Sequence, residues 1–186
     1  MLSKIIPILF LAFFSCCHSN RSVQDKLFKE FSDKFPMTFK DTILIKPNYD
    51  TLAKLKLIDT NYLSLFKSSL KGIDYEGGLT FYTKFKVDNL YDAFIITNTA
   101  PGGMLSSHLF LRDKNCDSMI YVDELSRFYE LHNTGDYLQT TITKSKDTLI
   151  LTKNFRYCSY LTNPEFGDCK DSIKTQKILK GQLLEN

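Results

Sequence analysis

His108 and His132 are the two histidines past the first twenty residues, and either could act as a base near neutral pH. A catalytic histidine needs a hydroxyl or thiol nucleophile and an orienting group within hydrogen-bond reach. His108 falls in a candidate strand beside Leu109, and His132 in a loop. In such places a satisfied core or surface histidine is the ordinary use. Carboxylates offer a second chemistry, since a glycosidic bond can be cleaved between two of them facing one cleft. Asp123 and Glu124 are neighbours on a predicted strand and therefore point to opposite faces. Asp92 and Glu130 would have to converge from separate strands.

Motifs that would fix a reaction are not found. The chain has no GxSxG elbow, no HExxH pair and no GxxxxGK[ST] loop. Glu76-Gly77-Gly78 and Pro101-Gly102-Gly103 are glycine turns without the lysine and hydroxyl that a phosphate loop uses. A zinc site built from Cys116, Cys158, Cys169 and His132 would not match the spacing of the usual structural ligand pairs. The reading is therefore a non-enzymatic protein with no catalytic residue, no metal and no cofactor.

The N-terminal stretch is the most specific signal. Lys4 supplies a positive start, and Ile5 to Phe14 is an apolar run of ten residues. A membrane-spanning helix needs about 20 apolar residues, so the run suits a secretory leader better than a permanent span. The residues that follow, Phe13-Phe14-Ser15-Cys16, resemble the lipobox of bacterial lipoproteins, where a small residue precedes a cysteine that is lipidated and becomes the new N-terminus. Phe13 stands where that family usually has Leu, and bulky Phe14 where it usually has a small residue. The resemblance implies a signal peptide over 1–15, lipidation of Cys16, a tether over 16–21 and a domain over 22–186. Two or more acyl chains anchor stably where one holds only marginally. The expected location is the bacterial cell envelope, at the outer membrane, with the membrane as first partner and an envelope protein or glycan as second.

Export implies an oxidising compartment, where cysteines pair. Beside Cys16 stand Cys17, Cys116, Cys158 and Cys169, which allow three complete pairings. Cys158 and Cys169 bracket SYLTNPEFGD, a polar reversal containing Pro164 and Gly167. If Tyr157 pairs with Lys170, Cys158 lies opposite Cys169. Directly opposed residues have Cβ atoms about 4.5 to 5.5 Å apart, so a twisted, non-hydrogen-bonded pair is needed to close a bridge. A disulfide from Cys158 to Cys169 is expected, with a Cys116 crosslink as the competitor.

The elements that must position these residues are mostly strands. The 186 residues are 43% hydrophobic and 24% charged, with a formal net charge of +3, values of an ordinary globular chain. The lysines are scattered among acids, which argues against a nucleic-acid partner. Ser22 to Asp25 fits a capping pattern, and Val23, Leu27 and Phe31, widened by Phe28, predict a helix over 22–34 stopped by Pro36. Thr42 to Ile45 reads as a short strand, and Leu63, Phe66 and Leu70 as a second helix capped by Asp59 or Thr60.

From Leu79 onward, β-branched and aromatic runs alternate with turn residues. Seven strands are predicted: Leu79–Val87, Leu90–Thr97, Met104–Arg112, Ser118–Leu125, Asp136–Thr143, Thr148–Tyr160 and Ser172–Lys180. Their connections are too short for crossover helices, so the sheet should be antiparallel. The hairpin around Lys144 to Asp147 should set Ile142 opposite Leu149 and Thr140 opposite Leu151. Leu138, Ile142, Leu149, Leu151 and Phe155 should then share the buried face. The fold class is α+β, mainly β: a curved, half-barrel-like antiparallel meander with one or two N-terminal helices. KDSIKTQKILKGQLL is similar to the closing strands of small envelope lipoproteins built as β-meanders. Tyr82, Tyr121, Tyr137 and Tyr157 could form an amphipathic binding platform on one face, or be half-buried sheet residues. The functional expectation is a membrane-tethered binding or structural module. Its alternatives are an envelope hydrolase using His108 or His132, or an inhibitor or immunity-type protein presenting Ser159 to Asp168.

Overall fold

The computed structural model describes residues 23–36, 41–48, 50, 54–71, 73, 78–100, 104–115, 118–131, 134–159, 168–179 and 182–185. The leader, Cys16, Cys17, Cys116 and His132 lie outside the described residues, as do Tyr160 to Gly167. A helix over 23–33 (α1) leads into β1 (Thr42–Ile45), and two 3₁₀ turns follow at Thr60–Leu65 and Lys67–Leu70. The sheet continues with β2 (Leu79–Lys86), β3 (Tyr91–Ala100), β4 (Met104–Asp113), β5 (Ser118–Leu131) and β6 (Thr134–Ser145). It ends with β7 (Thr148–Ser159), β8 (Asp168–Leu179) and β9 (Gln182–Glu185). β2 to β9 form an antiparallel meander in chain order, and β1 pairs with β6 off that path. Among the described residues no pairing joins β2 to β9, so the sheet is not closed.

Two clusters make the core. Phe81, Phe94, Ile96 and Phe110 on β2 to β4 pack against Phe28, Phe31 and Phe35 and against Leu65, Phe66 and Leu70 of the 3₁₀ turns. Rings meet edge-on or tilted, as Phe31 does with Phe66 at 5.6 Å and Phe35 with Phe81 at 4.8 Å. The second cluster joins Phe85, Ala93, Ile95, Leu109 and Leu111 to Ile142, Leu149, Leu151 and Ile178, with Ile45 of β1. The curved sheet thus packs its first half against its second, while α1 and the 3₁₀ turns cover the outer side of the first half.

Bulges make this possible. Phe81 and Phe85 are four residues apart and would share a face in a regular strand. Between them Tyr82 is an extra residue, because Phe81 pairs with Ile96 and Thr83 with Ile95. The parity changes, and each Phe enters a different cluster. β5 carries two further irregularities against β4, around Val122 and Leu125, which increase its twist.

Several expectations need correction. The helix exists, but its buried residues are Phe28 and Phe31, joined just past its end by Phe35, with Leu27 half-buried and Val23 exposed. The chain leaves α1 before Phe35, so the apolar stripe continues past the helix and draws its buried face toward Phe28. The second predicted helix is a pair of 3₁₀ turns; Asp59 does cap the first, accepting a hydrogen bond from the Asn61 amide at 2.9 Å. Among the described residues the sheet has nine strands rather than seven, because β1 belongs to it and β9 follows β8. The β6–β7 register is displaced by two residues, with Ile142 opposite Leu151 and Lys144 opposite Leu149. The reversal uses only Lys146 and Asp147, with Lys146 at φ 53°, rather than the four-residue loop expected. A slip of two keeps side-chain parity. Leu138, Ile142, Leu149 and Leu151 are therefore buried, as expected, and Phe155 is half-buried.

Candidate functional site

The most developed surface feature is a half-open groove of about 610 Å³ across β5 to β8. Its floor follows from register. On one rung Phe128, Tyr137, Arg156 and Asp171 stand directly opposite one another across the four strands. On the next stand Glu130, Gly135, Cys158 and Cys169, and on a third Gln139, Asn154 and Ile173. Opposed residues project from the same face, so the three rungs present one surface.

Each rung has its own character. Phe128 and Tyr137 supply aromatic surface, and the Tyr137 hydroxyl donates to Gln139 Oε1 at 3.2 Å. Arg156 donates to both oxygens of Asp171, through Nε at 2.8 Å and a terminal nitrogen at 3.0 Å. Those hydrogen bonds hold the Asp171 carboxyl below its usual range and raise the Arg156 guanidinium. Gly135 has no side chain, which leaves depth beside Cys158. Cys158 and Cys169 form the expected disulfide, with Cα atoms 4.1 Å apart. Ile173 lies 73% exposed at the β8 side, an unusual state for a branched apolar residue that lines a groove. Apolar walls with a few convergent polar groups are the make-up of a binding site.

Of the candidate catalytic residues, Glu130 lines the groove, and His108, Asp92, Asp123 and Glu124 are placed elsewhere. His108 is buried on β4, with Nε2 at 2.8 Å from Asn98 Oδ1 and 3.0 Å from Ser106 Oγ, and its ring lies against Tyr121. Burial pushes its pKa down to about 4, so the imidazole is neutral at physiological pH. Its Nδ1 has no hydrogen-bond partner. Among the described residues no carboxylate is hydrogen-bonded to the ring to orient it, although Glu124 stands opposite on β5.

Asp123 and Glu124 have separate cations: Lys153 Nζ lies 2.6 Å from Asp123, and Arg127 lies 2.8 Å from Glu124. Asp92 pairs with Lys114 at 2.9 Å on β3, away from Glu130 on the groove rim. Among the described residues no cluster of His, Cys, Asp and Glu could hold a metal ion.

The four tyrosines do not form one platform. Tyr82 packs against the second core cluster, and Tyr121 lies beside Phe110. Tyr137 opposes Arg156 while Tyr157 opposes Asp136, which puts those two on opposite faces of the β6–β7 ladder. Of the candidate site residues, Tyr137 and Cys158 line the groove together with Glu130, and Phe155, expected on the buried face, reaches it as well. Phe128, Arg156, Asp171 and Ile173 were missed, since their meeting depends on a register that spans four strands. The exposed Ile173 amid charged residues on β8 is the one local signal that could have pointed there.

No family model, characterised protein or solved structure matches the chain. Among the described residues no helix is long and apolar enough to cross a membrane.

Proposed function

We propose that the protein is a bacterial envelope lipoprotein, tethered at the outer membrane through acyl chains on Cys16, and that it works as a binding module rather than by catalysis. The observation that carries the binding role is the groove across β5 to β8. It aligns aromatic rings, two amides and a bidentate ion pair on one face, with Ile173 left exposed beside them. The tether rests on Phe13-Phe14-Ser15-Cys16, and the Cys158–Cys169 bridge fits an oxidising compartment. The partner is another envelope component, a protein or a glycan. Nucleic acid is not expected from the mixed charge.

Two variants of the full chain test this. Cys16→Ala should abolish labelling by radioactive palmitate and release the protein from the membrane fraction; unchanged labelling and sedimentation would place the anchor at Cys17 or in an uncleaved helix. Tyr137→Ala, solubilised from envelopes in parallel with the unaltered protein, should lose whatever component the latter retains through the groove. Identical sets of retained components would remove the groove from the function.

The inhibitor reading has one observation in its favour. The β7–β8 hairpin is cross-linked near its tip, and β8 from Asp168 to Thr175 is exposed throughout. A loop braced in this way suits insertion into a target.

A further inference from the structure

Among the described residues, β8 is a strand with two thirds of one edge open. β9 pairs with it only from Gln176 to Leu179, and among the described residues no strand covers Asp168 to Thr175 on that side. The outward hydrogen-bonding groups there can be assigned from register. Ser145 and Thr148 flank the two-residue β6–β7 turn and so form a hydrogen-bonded pair. Alternation then turns Leu149, Leu151, Lys153, Phe155 and Tyr157 toward β8, where their partners are Ile178, Gln176, Lys174, Ser172 and Lys170. The even-numbered residues of β8 thus bond to β7. The amides and carbonyls of Cys169, Asp171, Ile173 and Thr175 point out along the open edge.

The two faces of this edge differ. Asp171 and Ile173 stand on the groove side, the carboxylate engaged by Arg156 and the Ile side chain exposed. On the opposite face stand Lys170 and Lys174, both exposed. Lys153, next on that face, is buried against Asp123. A strand laid beside β8 would therefore meet an apolar residue on one face and two ammonium groups on the other.

We infer that β8 receives an extended segment of a partner protein, added as a strand along Asp171 to Thr175. The segment alternates apolar residues, set on the groove face beside Ile173, with acidic residues, set beside Lys170 and Lys174. Main-chain hydrogen bonds hold such a strand, and the alternate side chains select it. This deepens the binding role of the groove and rests on it, since the apolar side chains of the segment enter the same surface. A second copy paired antiparallel about Ser172 would set Lys170 opposite Lys174 twice, and one paired about Asp171 would set that carboxylate opposite itself; pairing about Ile173 opposes no like charges, and sedimentation tests that arrangement.

The test uses the full chain in detergent and a fluorescein-labelled peptide, Glu-Val-Glu-Val-Glu-Val-Glu, followed by fluorescence anisotropy. In a hydrogen-bonded pair with Ile173 the valine amides face β8 and the glutamate amides face away. Methylating the valine nitrogens should weaken binding at least about tenfold, the worth of one or two hydrogen bonds. Methylating the glutamate nitrogens should leave affinity within about twofold, and a Lys-Val counterpart should bind at least about tenfold more weakly. Because the modification is on the peptide, folding of the protein is not at issue. Ile173→Pro should reproduce the loss, and Ile173→Val should not.

No binding at millimolar peptide, or equal binding of both methylated forms, overturns strand addition. So does a dimer in sedimentation that Ile173→Pro abolishes, because the edge would then belong to a second copy. If the peptide fails while Tyr137→Ala still loses an envelope component, the groove role stands and strand addition alone falls.

Discussion

Lys153 Nζ lies 2.6 Å from Asp123 Oδ1 in the interior between the two halves of the sheet, with the lysine side chain 6% exposed. The carboxylate beside it offsets the cost of burying the lysine. Removing it leaves Asp123 uncompensated, and the second oxygen of that carboxylate already lacks a hydrogen-bond partner. Lys153→Met should cost about 3 to 5 kcal/mol in urea unfolding, and the double variant with Asp123→Leu should recover a large part of it. If the single and double variants are equally destabilised, the ion pair is not what Lys153 contributes.

The face assignment of the β6–β7 hairpin has a direct energetic consequence. Leu151 is fully buried between Ile142 and Gln176, whereas Thr152 beside it points the other way and is half-exposed. Leu151→Ala should cost about 2 to 5 kcal/mol, and Thr152→Ala within about 0.5 kcal/mol. Reversed costs would require the opposite parity.

His108 predicts a pH dependence. Its folded pKa is about 4 against an ordinary 6.5, so the unfolded chain takes up the proton first as pH falls. The stabilisation from keeping it neutral is complete above pH 6.5 and is lost between there and pH 4, about 3 kcal/mol in all. Glu124, which faces His108 from β5 and whose pKa burial raises, contributes with the opposite sign. Tyr121, which lies against His108 and whose pKa burial pushes up to about 12, does not change charge in that interval. His108→Gln should therefore lose less stability than the unaltered protein between neutral pH and pH 4. Equal acid losses in chemical unfolding would show that His108 is not the source.

The bridge between Cys158 and Cys169 closes a short loop, with eleven residues of sequence separation. Replacing both cysteines with Ser should cost about 2 to 3 kcal/mol on the chain-entropy account. Non-reducing peptide mapping should give one crosslinked species joining these two residues. A crosslink to Cys116 would contradict the β7–β8 register.

What could be read beforehand depended on parity, and what could not depended on counting. The hairpin faces were legible because alternation alone sets them, and a slip of two residues leaves Leu151 inward. The slip itself followed from the turn, where Lys146 adopts a left-handed conformation that its residue type does not announce. The bulge at Tyr82 was invisible for the same reason: an extra residue has no signature in a run of apolar and aromatic side chains. Cys158 and Cys169 were found because two cysteines across one reversal constrain each other. The groove was not found, because the rung from Phe128 to Asp171 is assembled by three successive registers, each of which must be right.

The place of β1 bears on the order in which the chain assembles. β2 to β9 can form by successive hairpins, each strand meeting the one just made. β1 cannot, since Thr42 pairs with Thr143, 101 positions later. Closing so long a loop is entropically costly until its destination exists. The earliest strand to be synthesised is thus the last to find its place. Until it does, the ladder edge of Thr140 to Thr143 stays unpaired and Ile142 lacks the cover of Ile43 and Ile45. That interval is when the chain is most open to sticking to its neighbours.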